Sequence, residues 1–274
     1  TIRYTRAFDP DVVVSRALPS AVHAAALTGA ASVVCTDTEY AGGIATLIAP
    51  FVDYWWTPAW FTGDYGDRQR VHDGVDELAY LHPDRFSPDP DRLREYGVDP
   101  DERYFVLRFV SMEAHHDRSR AGFSAAGKRR LAAALAERGT VYISAEGSLP
   151  PGIDGEAVPV EPADIHHLLA FADLLVGDSE TMATEAALLG TPTIRANSHA
   201  TDEALGVFVR LDDHGLVDSI ADEATAHERA IELATDPAAG DRWARRRAAL
   251  LESSTDVTGH LLDVIEEAAN GGHL

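Results

Sequence analysis

Lysine is almost missing from this chain: of its 23 basic residues only Lys128 is not arginine. Against 45 Asp and Glu this leaves a formal net charge of −22. Nucleic acid is thereby excluded as a natural partner, because affinity for a phosphate backbone comes from clustered Lys and Arg. The acids are spread along the whole chain instead of forming one block, which argues against a docking face for a basic partner. A surface of Asp, Glu and Ala is instead what keeps a protein soluble in high salt, where screening removes most self-repulsion, so a halophilic habitat is expected. Cysteine is nearly absent too. Cys35 alone cannot form an internal disulfide or a cysteine-based metal cluster, and its setting in SVVCTD reads as a buried strand residue. No apolar run approaches the roughly 20 residues needed to span a bilayer. The opening TIRYTRAFDPDVVV shows neither a basic leader nor an apolar stretch with a cleavage site. The expectation is a cytoplasmic protein with no integral membrane segment, which leaves room for a peripheral membrane contact. No repeat of fixed period and no low-complexity tract is present.

What is present is enough apolar material, 45% of 274 residues, to build substantial cores. DVVVSR (11–16), ASVVCTD (31–37) and DYWWTP (53–58) are short β-branched or aromatic runs separated by stretches of helical composition. A Pro- and Asp-rich stretch, 81–102, argues against a continuous element and reads as a linker. A second series follows: strands at 104–110, 140–144, 157–160, 173–178 and 192–196, with helices from Ser124 to Arg138, from Pro162, and from Ser179 to Leu189. From Asp218 to Ala269 the pattern gives two or three amphipathic helices, broken near Pro237 and around Ser253 to Thr255. Such alternation gives parallel sheets covered by helices on both faces. The expected organisation is an N-terminal Rossmann-like domain over 1–80, a linker over 81–102, and a C-terminal Rossmann-like domain with terminal helices over 103–274.

Two consecutive units of this kind face a cleft, and ligands of open α/β sheets sit at the carboxyl ends of the strands. The segment GDSETMATEAALLGTP lies at such an end. Gly177 allows a tight turn after the strand, Asp178 and Ser179 stand at the junction, and the next helix offers unpaired N–H groups and a positive dipole end to an anion. Ser179 and Thr181 add hydroxyl donors. Glu185 lies about 9 Å further along the helix axis, a reach that suits a carboxylate on the ribose of a nucleotide whose diphosphate is held at the helix end. The same residues also read as an N-cap, a dipole partner in Glu180 and a solvated surface acid in Glu185.

These residues carry a resemblance. VGDSETMATEAALLGTPTIRANS resembles the C-terminal-domain segment of GT-B glycosyltransferases and non-hydrolysing UDP-N-acetylglucosamine 2-epimerases, where an SDSGG-type turn holds the diphosphate and a Glu in the following helix binds the ribose. Together with DVVVSR, DTEYAG, WTPAWF, DELAYLHPDRFSPDP, LRFVSMEAHHD and SAEGSLP, it is similar to the archaeal family DUF354 of the same superfamily. The resemblance implies a GT-B-like α/β fold of two Rossmann-like doubly wound domains and a nucleotide-sugar site. It also implies that the N-terminal domain is incomplete, because the resembling proteins carry further βα units before the strand at Asp11. A first sheet of about three strands with one open edge is then expected, a known pairing hazard.

The departures from the superfamily bear on the reaction. The His-Gly-Asp-Thr turn of the epimerases has no counterpart in DVVVSRALPS, their His-Arg-x-Glu-Asn turn is replaced by VSMEAHHD, and the Glu of their EAGLR turn falls near Asp37. An epimerase needs positioned acids and bases, so the resemblance favours a transferase acting on a UDP-sugar and an acceptor that the sequence does not name, with an epimerase-like isomerase or a non-catalytic nucleotide-sugar-binding protein as the alternatives. Glu180 and Thr181 replace two glycines of the diphosphate turn, which requires the Glu180 side chain to turn away. Such a transferase needs no metal or cofactor, since a helix N-terminus and basic side chains stabilise the leaving diphosphate. Arg108 and Arg195 are the basic candidates, each equally readable as an ion-pair partner. Asp37 and Glu39 are candidates for the acceptor base, with helix capping as the alternative. Ser111, His115, Glu146 and Gly147 are candidates for lining the donor site from neighbouring strand ends. Adjacent His115 and His116 cannot easily converge on one metal ion. His166 and His167 open a helix that in GT-B proteins often contacts the base, and a helix-surface pair explains them equally well.

Overall fold

The computed structural model describes residues 1–37, 42–109, 123–145, 151–196 and 206–271. The first stretch of chain runs through α1 (Ile2–Phe8), β1 (Val12–Arg16), α2 (Pro19–Thr28), β2 (Ala31–Cys35), α3 (Gly42–Ile48), β3 (Tyr54–Pro58), β4 (Gln69–His72), α4 (Leu78–Leu81) and α5 (Pro90–Glu95). It continues through β5 (Tyr104–Phe109), α6 (Ala125–Ala136), β6 (Thr140–Ala145), β7 (Glu156–Ala157), α7 (Ile165–Phe171), β8 (Leu174–Gly177), α8 (Glu180–Leu189) and β9 (Thr193–Ala196). Last come α9 (Gly206–Asp213), β10 (Asp218–Ile220), α10 (Glu223–Thr235), α11 (Ala239–Glu252) and α12 (Val257–Gly271). The chain divides into two compact units, one holding residues 1–80, 206–207 and 253–271, the other 81–196 and 208–252.

The first unit is built on a parallel sheet in the order β1-β2-β3-β4. All five residues of β2 and of β3 are buried, as expected of parallel strands covered on both faces. Val22 of α2, Ala45 and Ile48 of α3, Val34 and Trp55 form one core cluster. β4 was not anticipated from QRVH, a short, mostly polar edge strand whose Val71 is exposed. The final helix, expected with the second domain, packs on this first sheet. Its approach is fixed by the Thr255 N–H donating to the Asp73 carbonyl at 2.7 Å and by Arg70 Nη2 lying 2.6 Å from Glu267 Oε1.

The second unit has a six-stranded parallel sheet in the order β10-β9-β8-β5-β6-β7. The chain starts in the middle at β5, winds outward through β6 and β7, then returns to the other side of β5 and winds outward again. This is the doubly wound order, whose direction reverses between β5 and β8, and the crevice beyond the carboxyl ends of those two strands is where such folds bind ligands. β10 falls where only helix was expected, since DSI is too short to show a period. The breaks expected near Pro237 and at Ser253 to Thr255 separate α10, α11 and α12. The 81–102 stretch is discontinuous as its prolines require, yet it is packed into the second unit: Leu93 and Val98 are buried, and Asp164 accepts from Tyr96 Oη at 2.6 Å and Arg92 Nη2 at 3.1 Å.

Candidate functional site

At the reversal point of the second sheet, β5 and β8 pair Arg108 opposite Gly177. A Cβ on Gly177 would lie 2.7 Å from the Arg108 carbonyl oxygen, so only glycine permits this approach. The Asp178 N–H then donates to that carbonyl at 3.2 Å, and the chain turns into α8. Ser179 is the N-cap in extended conformation, its Oγ accepting from the Met182 N–H at 3.4 Å, and the helix stops at Gly190 with φ 89°. Asp178 is buried, while Glu180 and Thr181 in the first turn are exposed. The cap therefore presents an acid-flanked helix end with the Thr181 hydroxyl at its surface.

The two arginines at neighbouring strand ends differ. Arg108 is half-buried and donates from Nη1 to Ser144 Oγ of β6 at 3.0 Å. The Arg195 side chain is 3% exposed, stacks on Phe208 with its guanidinium carbon 3.7 Å from the ring centroid, and has Nη1 3.8 Å from Glu180 Oε1. The Glu180 side chain is thus directed toward a buried cation.

Glu185 is not a solvated surface acid. Its side chain is 12% exposed and its Oε1 lies 3.0 Å from His166 Nε2 on α7. The adjacent His167 faces a different neighbour: its Nδ1 accepts from the Asp89 N–H at 2.9 Å, and Phe86 packs against both imidazoles. A pair that reads as equivalent in sequence is divided by the helix into one structural histidine and one that meets the candidate ribose carboxylate. The contact between His166 and Glu185 has no sequence signal, because 19 residues separate them.

In the first unit Asp37 follows the end of β2 and accepts from Arg16 Nη2 at 2.7 Å, while Arg16 Nη1 reaches Asp76 Oδ2 at 2.9 Å. Burial works against the Arg16 charge, but Asp37 and then Asp76 outweigh it and raise its pKa. Behind Asp76 sits His72, fully buried at the end of β4, with Nε2 3.2 Å from Asp76 Oδ1 and its ring stacked on Trp56 at 3.9 Å. That separation is an ion-pair distance without hydrogen-bond alignment. Trp56 Nε1 donates to His260 Nδ1 of α12 at 3.0 Å. Burial, followed by the charge of Asp76, pushes the Cys35 thiol up to about 12, which fits the inert strand residue expected of it. Arg16, His72, Asp76 and His260 were not singled out from the sequence; only their convergence on the strand ends marks them.

Of the remaining candidates, Glu39, Ser111, His115, Glu146 and Gly147 lie outside the described residues. Among the described residues no group of three His, Cys, Asp or Glu is arranged to hold a metal ion, and no helix is long and apolar enough to cross a membrane. A cavity of about 640 Å³ opens at the amino-terminal edge of the second sheet, lined by Arg103, Asp173, Gly190 and Arg247. It lies at the wrong end of the strands for the crevice between β5 and β8, and its Arg103 is paired with Asp173, so it is not the candidate site.

The family described as "Protein of unknown function (DUF354)" matches residues 148–236. Among curated proteins no sequence match is found. The UDP-GlcNAc 2-epimerase from Methanocaldococcus jannaschii is similar in structure, with a TM-score of 0.62 at 14% identity over 97% of this chain and 79% of that one. The S. aureus MnaA–UDP structure gives 0.61 at 12% identity over 98% and 79%. Glycosyltransferase VinC in complex with dTDP gives 0.58 at 14% identity over 99% and 75%. At these identities the likeness concerns the fold. Residues 148–236 therefore carry the DUF354 match, within a chain whose two parallel-sheet α/β units have the GT-B-like fold.

Proposed function

We propose that this chain binds a nucleoside diphosphate sugar, a UDP-sugar in the first instance, in the second unit and acts as a GT-B-type glycosyltransferase in glycan or glycolipid synthesis. The observation that carries the reading is Glu185: a mid-helix acid, largely withdrawn from solvent, on the helix that opens at the β5–β8 reversal point. Ser179 and Thr181 at the helix end take the diphosphate, with Asp178 shaping the turn, Arg108 at the adjoining strand end and Arg195 balancing Glu180. Glu185 takes the ribose hydroxyls. Solved proteins of the same fold hold UDP and dTDP, which supports this class of ligand. In the first unit Asp37, held by Arg16, is the acceptor-side candidate, and the acceptor is a hydroxyl-bearing molecule of unknown identity, soluble or at a membrane surface. The structural likeness to a UDP-GlcNAc 2-epimerase supports a second reading as an isomerase of the same donor.

Calorimetric titration with UDP, dTDP, ADP and GDP, followed by incubation with radiolabelled UDP-sugars with and without acceptors, tests the reading. Affinity for one nucleoside diphosphate, weakened by on the order of 1.5–3 kcal/mol in Glu185→Ala with the melting point nearly unchanged, is expected. Transfer and isomerisation are then distinguished by product. Absence of nucleotide binding, or unaltered affinity in Glu185→Ala, would remove the proposed site.

A further inference from the structure

We infer that His166 is a positioning residue for Glu185, and through it a determinant of the preference for ribo- over 2′-deoxyribonucleotides; this rests on the nucleotide-binding reading above. The place of His166 is set from several sides. Leu168 and Leu169 of the same helix are fully buried, which fixes the rotation of α7. Its start is tied down by Asp164, whose carboxylate is held by Tyr96 and Arg92, and by His167, which receives the Asp89 N–H. Thr191 Oγ1, just past the end of α8, donates to the Leu169 carbonyl at 2.6 Å and locks the two helices in register. On α8 the neighbours of Glu185, Thr184 and Ala186, are buried, so Glu185 stands at the rim of the packed face. Phe86 meets the His166 ring edge-on at 5.8 Å and sets its plane.

The consequence is a carboxylate with a fixed rotamer. A glutamate free to rotate must be ordered by its ligand, whereas one already held by a neighbour is preorganised for it. An imidazole N–H engages the carboxylate at one point, where an arginine would take both oxygens in a bidentate pair. His166 therefore orients Glu185 through one contact, and the carboxylate so placed is the group proposed to receive the pair of sugar hydroxyls. A 2′-deoxyribose lacks one of those hydroxyls and gains less from this preorganisation.

The test is calorimetric titration of UDP and dUDP into wild type, Glu185→Ala, His166→Phe, His166→Ala and His166→Gln, with melting points measured alongside. Wild type is expected to prefer UDP over dUDP by roughly tenfold, the weight of one hydrogen bond to a charged group. His166→Phe and His166→Ala should lose most of that preference, and His166→Gln, which keeps an N–H donor, should restore it. A purely structural histidine would lower the melting point in these variants and leave the UDP to dUDP ratio as in wild type, which overturns the inference. So does a wild type that binds UDP and dUDP equally. A wild type that binds neither overturns the nucleotide-binding reading itself and is recognised by the absence of any titration heat in all five proteins.

Discussion

Acidification should loosen the first unit through His260, and the structure gives the sign. The Trp56 indole N–H donates to His260 Nδ1, so this contact requires that nitrogen to be unprotonated. Burial, and after it the charge of His72, lowers the His260 pKa below its ordinary 6.5; Asp263 opposes the shift and Arg70 adds to it. The unfolded chain therefore takes up a proton at higher pH than the folded one. Above the ordinary value both states are neutral and the stabilisation is complete. As pH falls through that value toward the folded one, stability drops with a slope of at most about 1.4 kcal/mol per pH unit for one proton. His260 is only half-buried, so the total loss is that of one ordinary hydrogen bond, about 1 kcal/mol, equivalent to roughly 2–4 °C in melting temperature for a chain of this size. The assay is thermal unfolding of wild type and His260→Gln at fixed high salt between about pH 5 and 8. The glutamine amide oxygen still accepts from Trp56 and does not titrate. The two curves should coincide at the alkaline end and separate below the histidine range, with wild type falling further. Parallel curves across the whole series would refute the reasoning.

Three other outcomes follow from the same structure. Gly177→Ala places a Cβ 2.7 Å from the Arg108 carbonyl, and denaturant unfolding should show a loss of about 1–3 kcal/mol, because backbone must shift to admit it; wild-type stability in this variant would mean that the turn is not as tight as described. Ser179→Ala removes a cap whose hydrogen bond is long at 3.4 Å, so the cost should sit at the lower end of the usual range, about 0.5–1 kcal/mol by thermal unfolding. With a net charge of −22, circular dichroism across a KCl series should show loss of structure toward about 0.01 M, where the Debye length grows to about 30 Å; an unchanged melting point from molar to millimolar salt would count against the high-salt habitat.

By itself the sequence determined the layer architecture and the place of the turn that opens α8. Short continuous apolar runs such as ASVVC and LLVG, bounded by turn residues, read as strands buried on both faces, and Ser179 with Gly190 marks both ends of α8, because these signals are local and lie within a few residues of one another. The strand QRVH was not legible, since an edge strand of four mostly polar residues has no apolar period to reveal it. Nor could composition tell that α12 joins the first sheet, for an amphipathic helix states that it has a partner and not which one. The pairings that give the candidate residues their chemistry are decided by tertiary structure alone. Glu185 meets His166 across 19 residues, Arg16 bridges Asp37 and Asp76 across 21 and 60, and Trp56 meets His260 across 204. Side-chain type sets what each group is able to donate or accept, but only the winding of the strands sets which group it meets. That is why the sequence pointed to Glu185 as a carboxylate of interest, and the fold alone supplied the neighbour that holds it.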